Sequence, residues 1–224
     1  MQKQHRNDIL SLLSTLQNFK LKLMVDGIIV GIFSALLVIF YRVALEKAEE
    51  FRDVAIGWMQ QDMKLIWIWF AFLLLGGYLV GTMVKKEPMI SGSGIPQVEG
   101  ILLGKIRVNW LSIIIRKVIG GIISIGAGLS LGREGPSIQL GAAVGQGIQK
   151  IFKRFNIEEK YLITSGASAG LSAAFNAPLA GVLFSLEEVH KHFSSLILLP
   201  AMFASLTADF ISKHFFGLKP VFRF

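Results

Sequence analysis

The sequence predicts an all-α integral membrane protein, and three observations support this fold class. Hydrophobic residues make up 53% of the 224 residues and charged residues only 17%, whereas soluble domains average about 25% charged residues. Residues 65–84 and 161–186 form two uncharged runs, and about 20 mostly apolar residues are enough to cross the hydrocarbon core of a bilayer. Most of the 23 glycines fall between Gly92 and Gly181, where charged residues interrupt the apolar stretches.

The composition argues against several other classes of protein. Cysteine is absent, which excludes a disulfide framework and a thiolate metal site. The histidines, which are His5, His190, His192 and His214, lack the spacing of metal ligands, so we expect neither a metal nor a cofactor. The net charge of +8 is spread among apolar segments. That distribution is typical of orientation signals beside membrane spans and not of a nucleic-acid surface.

The first third of the chain predicts two membrane spans. We expect residues 1–21 to be a cytoplasmic segment with a short amphipathic helix near residues 6–20 on the membrane surface. The first span covers residues 22–45, and the second covers residues 65–84 and ends in two lysines. Basic residues at the start of the chain and after the second span place both on the cytoplasmic side. The loop of mixed charge over residues 42–64 would then face outward.

Beyond residue 88 the pattern changes to short apolar stretches rich in glycine. Most of them are too short for a perpendicular span. Hydrophobic segments interrupted by glycine are typical of discontinuous helices that stop inside the membrane. Broken backbone at that depth is tolerated only inside protein or beside a watery cavity, which favours an ion pathway, although glycines also allow helices to pack closely.

The motif Gly92-Ser93-Gly94-Ile95-Pro96 predicts the start of a helix. Glycine permits a tight turn, and proline suits the first helical turn. A helix N-terminus carries roughly half a positive charge and free N–H groups, which together form an anion site without a full cation. Taken alone, the motif is explained more simply by Ser93 capping its own helix.

The motif Gly132-Arg133-Glu134-Gly135-Pro136-Ser137 predicts a second helix start between two apolar stretches. It is not a phosphate-binding P-loop, because no Lys-Ser or Lys-Thr follows the glycines. A charge near the middle of a membrane costs about 2.5–3.5 kcal/mol on insertion scales and is a functional candidate by default. Mutual neutralisation of Arg133 and Glu134 is the weaker explanation, since adjacent helical residues do not face each other.

Three segments together resemble the CLC family of chloride channels and chloride/proton exchangers. They are GSGIPQVEG at 92–100, GREGPS at 132–137 and GASAGLSAAFNAPLAGVLFSLEE at 166–188. Their order and spacing also match the family, and the resemblance runs from about residue 22 to the end. It implies a CLC-like fold in which residues 22–224 form the first half of an inverted-repeat domain with discontinuous, tilted helices. It also implies a homodimer with a separate pore in each subunit.

The resemblance further implies a set of site residues. Those expected to bind chloride are Gly92, Ser93, Gly94, Ile95, Arg133, Glu134 and Gly135. Glu134 matches the gating glutamate, whose carboxylate competes with chloride and carries the proton. Lys117 matches a buried basic position that tunes the pore. Glu188 matches the inner glutamate of the proton path in exchangers, and we expect it to be buried near the cytoplasmic end of a single helix over residues 161–186.

The chain departs from the family pattern in one respect, which leaves its function open. The second-half motif GxFxP and a late tyrosine that touches the central anion are absent from these 224 residues. We therefore expect a missing second half, and a regulatory C-terminal domain would also lie outside this chain. The first hypothesis is chloride/proton antiport by the parent protein in a bacterial inner membrane, with no enzymatic activity. The alternatives are a passive chloride channel, in which an apolar residue usually replaces Glu188, and a non-transporting half that only assembles in the membrane.

Overall fold

The structure is a computed structural model that describes the backbone of residues 2–153 and 156–217 and the side chains of residues 17–153 and 158–217. Every regular element in these ranges is helical, which confirms the predicted fold class. The α-helices are, in chain order, α1 Gln2–Gln61, α2 Leu65–Lys86, α3 Ile95–Leu102, α4 Trp110–Gly126, α5 Glu134–Ile151, α6 Asn156–Phe175, α7 Pro178–Phe184 and α8 Ser195–Phe216. A 3₁₀ turn at Pro88–Ile90 precedes α3, and a π-helical turn at Ser185–His190 follows α7.

Helix α1 is a single helix of 60 residues, and this corrects two expectations. The segment near residues 6–20 is continuous with the first span, and the loop expected over 42–64 shrinks to a turn at residues 62–64. The charged residues in this region are good helix formers. Lys47 and Glu50 also form an ion pair of 2.6 Å along the helix surface. A change from apolar to charged residues therefore marks the end of the apolar span but not the end of the helix.

The uncharged run over residues 161–186 is not one helix, which corrects a third expectation. Helix α6 ends at Phe175 and α7 begins at Pro178. Between them Asn176 adopts a left-handed conformation with φ of 56°, and proline lacks the N–H that would continue the helical hydrogen bonds. The short helix α7 and the eight-residue α3 are the kind of interrupted helices that the glycine-rich region predicts.

Helices α5 and α6 form the centre of the structure and pack through small residues. A Cβ atom built on Gly141 would collide with the backbone carbonyl of Gly166, and one on Gly145 would collide with the carbonyl of Leu162. Helix α1 meets α8 in the same way, because a Cβ on Gly27 would lie 2.5 Å from the carbonyl oxygen of Pro200. Small residues at helix contacts are typical of membrane proteins. In lipid the hydrophobic effect does not drive helices together, so close backbone packing stabilises their association instead.

Three of the described helices are long and apolar enough to cross a membrane: α2, α8 and residues Gln17–Gln61 of α1. Helix α2 carries exposed apolar side chains on most of its surface, and Trp67 is 75% exposed. Helix α4 joins two apolar stretches through Arg116 and Lys117, and Lys117 points into the protein with only 6% exposure. An exposed apolar surface with a charged side chain turned inward is the arrangement expected of a protein embedded in lipid.

Candidate functional site

The segment at residues 92–94 forms the start of α3, as the sequence predicts. Gly92 and Gly94 have φ of 67° and 96°, a left-handed region that glycine adopts without steric cost. The N–H of Ile95 donates to Ser93 Oγ at 3.3 Å, so the hydroxyl caps the helix as an acceptor. Its own hydrogen remains available to a ligand, because a serine hydroxyl both donates and accepts.

The second motif forms the start of α5, with Glu134 as the first helical residue. The Glu134 side chain is exposed in this chain. Arg133 Nη1 lies 4.0 Å from Glu46 Oε1 on α1. Arg133 is therefore directed toward α1, and no ion pair with Glu134 occurs within the described residues. The Glu134 carboxylate, at the first residue of α5, is therefore not neutralised by Arg133.

The fold brings the two motifs into direct contact. A Cβ atom built on Gly135 would lie 2.5 Å from the carbonyl oxygen of Ser93 and 2.7 Å from its Cβ. Only glycine permits this approach between the first turn of α5 and the segment that precedes α3. The positive ends of two helix dipoles therefore converge, although the residues are about 40 positions apart in the sequence.

The amide groups at this junction have no internal acceptor. Among the described residues, the N–H groups of Gly92, Ser93, Gly94, Arg133, Glu134 and Gly135 donate to no protein oxygen. Consecutive free N–H groups in a turn form a concave site for an anion. With the Ser93 hydroxyl, they supply donors of partial charge, which bind an anion but also allow it to leave.

Lys117 lies under the first motif, as the sequence analysis expects of a buried basic residue. Its ammonium group donates to the carbonyl oxygens of Ile90 at 2.8 Å and Gly92 at 2.7 Å. The full positive charge is thus close to the candidate anion site but separated from it by the backbone. Such a charge raises the local electrostatic potential without forming a direct ion pair with the ligand.

Two glutamines that the sequence analysis does not single out also contact this segment. Gln97 Nε2 donates to the Ser91 carbonyl at 2.9 Å, and Gln139 Nε2 donates to the Met89 carbonyl at 2.8 Å. Gln139 is 3% exposed and lies one helical turn after Gly135. A buried glutamine on an apolar helix is the only sequence signal that could have indicated it.

Glu188 lies in the π-helical turn after α7, and not at the end of a long helix. Its side chain and that of Glu187 are both exposed in this chain, so the expectation that Glu188 is buried is wrong for the chain as it stands. The next turn is fixed to α3 by an ion pair of 2.6 Å between Lys191 and Glu99. His190 Nδ1 forms a 2.8 Å hydrogen bond with Thr164 on α6. No described contact connects Glu188 with Glu134.

These features define an all-helical membrane protein with short, interrupted helices. The N-termini of two helices lie together, beside amides that have no internal acceptor. The comparisons with known proteins give the family. A family model described as "Voltage gated chloride channel" matches residues 76–224, and the chain belongs to this family. The predicted resemblance to the CLC proteins is confirmed.

The curated relatives include bacterial exchangers. The protein described as "H(+)/Cl(-) exchange transporter ClcA" from Yersinia pseudotuberculosis is 35% identical over 206 residues, which are 89% of this chain and 43% of that protein. The protein of the same description from Citrobacter koseri is 33% identical over 223 residues, which are 96% of this chain and 47% of that protein. The chain spans slightly less than half the length of the curated relatives it matches.

Solved structures have the same fold. A slow cyanobacterial Cl⁻/H⁺ antiporter is 34% identical, with a TM-score of 0.79 over 88% of this chain and 48% of that protein. A CLC-type fluoride/proton antiporter is 24% identical, with a TM-score of 0.71 over 89% of this chain and 48% of that protein. At that identity the second likeness concerns the fold alone.

Proposed function

We propose that this chain forms the first half of the membrane domain of a chloride/proton antiporter. The relatives from Yersinia pseudotuberculosis and Citrobacter koseri are described as H⁺/Cl⁻ exchange transporters, which supports a transporter and not an enzyme. Chloride is the transported ion, and no cofactor takes part. The partners in this proposal are chloride, protons, the lipid of a bacterial inner membrane, a second half-domain and a second copy of the assembled subunit. The N-terminus lies in the cytoplasm.

The observation that carries the proposal is the contact between Gly135 and Ser93. It places the free amides of Gly92–Gly94 beside those of residues 133–135, where a chloride ion would replace its hydration shell by N–H donors. Lys117 adds a positive potential from beneath. The Glu134 side chain is attached to the backbone at the same junction. Its carboxylate therefore competes with chloride for these donors when ionised and leaves them when protonated. Coupling between chloride binding and protonation of Glu134 follows from this competition.

Coupled flux in proteoliposomes tests the proposal. The chain would be completed with the second half of the Yersinia ClcA relative, and a chloride gradient would be applied while a pH electrode records proton movement. We expect chloride to drive protons against their gradient. Glu134→Ala removes the carboxylate and should retain chloride movement while abolishing proton uptake. Continued uphill proton uptake in this variant would contradict the role of Glu134.

A passive chloride channel is the second candidate, and the description of the matching family as a chloride channel favours it. The same recording separates the two functions. Chloride movement by the completed wild-type chain without any proton movement would replace the exchanger proposal by the channel proposal. Absence of chloride movement from a folded, completed chain would contradict both.

A further inference from the structure

The four consecutive carbonyl groups of residues 89–92 each accept a hydrogen bond from a side chain. The donors come from three helices: Gln139 on α5 binds Met89, Lys117 on α4 binds Ile90 and Gly92, and Gln97 on α3 binds Ser91. Such a series is unusual, because most hydrogen bonds of backbone groups are made with other backbone groups. The segment is neither helix nor strand at residues 91–94, so side chains determine its conformation.

The direction of each carbonyl fixes the direction of the next amide. A peptide unit is planar and trans, so its C=O and the following N–H point in opposite directions. Gln97 holds the Ser91 carbonyl at 2.9 Å and thereby turns the Gly92 N–H away from itself. Lys117 does the same for the Ser93 N–H by holding the Gly92 carbonyl at 2.7 Å. These N–H groups are among those without an internal acceptor.

Gln139 contributes a second constraint on the segment. Its side chain packs flat against Gly94, because a Cβ on Gly94 would lie 2.6 Å from Gln139 Cδ and would collide with Oε1. The same side chain holds the Met89 carbonyl at the start of the segment. Gln139 therefore contacts both ends of the segment 89–94. It also lies one helical turn after Gly135, which contacts Ser93 within that segment.

We propose that Gln97 and Gln139 are positioning residues of the anion site. Gln139 holds the Met89 carbonyl and Gln97 the Ser91 carbonyl away from the site. Together with Lys117, which holds the Gly92 carbonyl, they let the amides of Gly92 and Ser93 face the anion. A released carbonyl would present its negative end to the anion and would also free the adjacent amide to rotate. Without both glutamines the residues that contact the anion are unchanged, but the affinity of the site for chloride falls. The inference rests on the proposed chloride transport.

The test is the double variant Gln97→Met/Gln139→Met, in which methionine preserves side-chain length but removes the amide donor. The matched control is Gln146→Met. Gln146 lies on the same helix as Gln139, is 5% exposed and donates its amide to Glu159 at 3.1 Å, with no described hydrogen bond to residues 89–94. Each variant is prepared both as the 224-residue chain and as the chain completed with the Yersinia second half.

In the completed chain we expect the KM for chloride to rise roughly three- to tenfold in the double variant, as for the loss of one or two hydrogen bonds. The maximal rate and the proton-to-chloride ratio should stay near wild type, since Glu134 is untouched. Each single variant should show part of the rise, and the control none. A merely structural role would lower protein yield and maximal rate at constant KM, and that result would overturn the proposal.

In the 224-residue chain, amide hydrogen exchange of Ile90, Ser91 and Ile95 supplies a second readout. Their N–H groups donate to oxygens of Glu87, Pro88 and Ser93 and are therefore protected while the segment is ordered. We expect faster exchange in the double variant than in wild type or in Gln146→Met. Equal exchange in the double variant and the control would also overturn the proposal. If the completed wild type moves no chloride, the proposed function fails instead, and the exchange comparison still decides whether the two glutamines order the segment.

Discussion

At the scale of single residues, the molecule separates its candidate carboxylates into two environments. Glu134 stands at the N-terminus of α5, close to amides without an internal acceptor. Glu188 stands in a π-helical turn, which is a frequent feature of functional sites. Its neighbours Glu187 and Lys191 are charged, and all three are exposed in this chain. We therefore propose different roles for the two carboxylates, Glu134 at the candidate anion site and Glu188 where protons enter from water.

Replacement of Glu188 is the residue-scale prediction. In the completed chain, Glu188→Gln should abolish chloride-driven proton uptake and leave chloride flux within about twofold of wild type, because the amide cannot carry a proton but preserves size. Glu187→Gln is the matched control, since it removes the neighbouring charge in the same turn. Proton uptake in proteoliposomes is the measurement. Equal losses in both variants would mean that local charge matters and that Glu188 has no specific role.

At the scale of elements, the site depends on close contacts between helix ends. Gly135 lets α5 approach the segment before α3, and paired glycines let α5 lie against α6. Arg42 strengthens the end of α6 from α1, since its guanidinium donates to the Ala173 carbonyl at 2.9 Å and lies 3.9 Å from the centre of the Phe216 ring. The buried guanidinium is stabilised here by the negative end of the α6 dipole. Small residues and helix ends therefore determine where α5 begins relative to α3.

Gly135→Ala is the element-scale prediction. The added methyl group would lie 2.5 Å from the Ser93 carbonyl oxygen, and overpacking of this kind typically costs about 1–3 kcal/mol. We expect a lower melting temperature of the purified chain and a higher KM for chloride in the completed chain. Gly132→Ala is the control, because a Cβ there meets nothing within 4 Å. Similar behaviour of the two variants would show that the contact with Ser93 does not determine the site.

At the scale of the whole molecule, the candidate site opens toward the surface of this chain. Ser93 and Glu134 are exposed, although their neighbours Gly94 and Gly135 are buried. An anion at this position would remain partly hydrated, and polar backbone groups at the helix ends would cost several kcal/mol if they faced lipid. The chain also spans about half of its relatives, which is the basis for proposing a second half that closes the site.

The whole-molecule prediction is that the 224-residue chain alone gives no chloride flux. Liposomes that contain only this chain should release chloride at the rate of empty liposomes. Coexpression with the second half of the Yersinia relative should restore a saturable flux that depends on Glu134. Saturable flux from the single chain, lost in Glu134→Ala, would contradict this prediction and the need for a second half.

The sequence by itself determined the fold class, the family and the starts of two helices. Long uncharged runs indicate membrane spans, and the glycine and proline residues around Ser93 and Glu134 favour helix starts. Such local rules operate within about ten residues, so they are visible without a structure. The same rules failed for α1, where charged residues continue a helix, and between residues 161 and 186, where Asn176 and Pro178 divide an uncharged run.

Only the tertiary structure decided which groups meet. Contacts between distant residues, such as Gly135 with Ser93 and Gln139 with Met89, which is 50 positions away, depend on how α5 packs against the segment before α3. The partner of Arg133 is Glu46 on α1 and not its neighbour Glu134, because a helix directs adjacent side chains to different faces. Buried glutamines give no periodic signal of their own. Their role follows from the carbonyl groups that the fold places within reach of their amides.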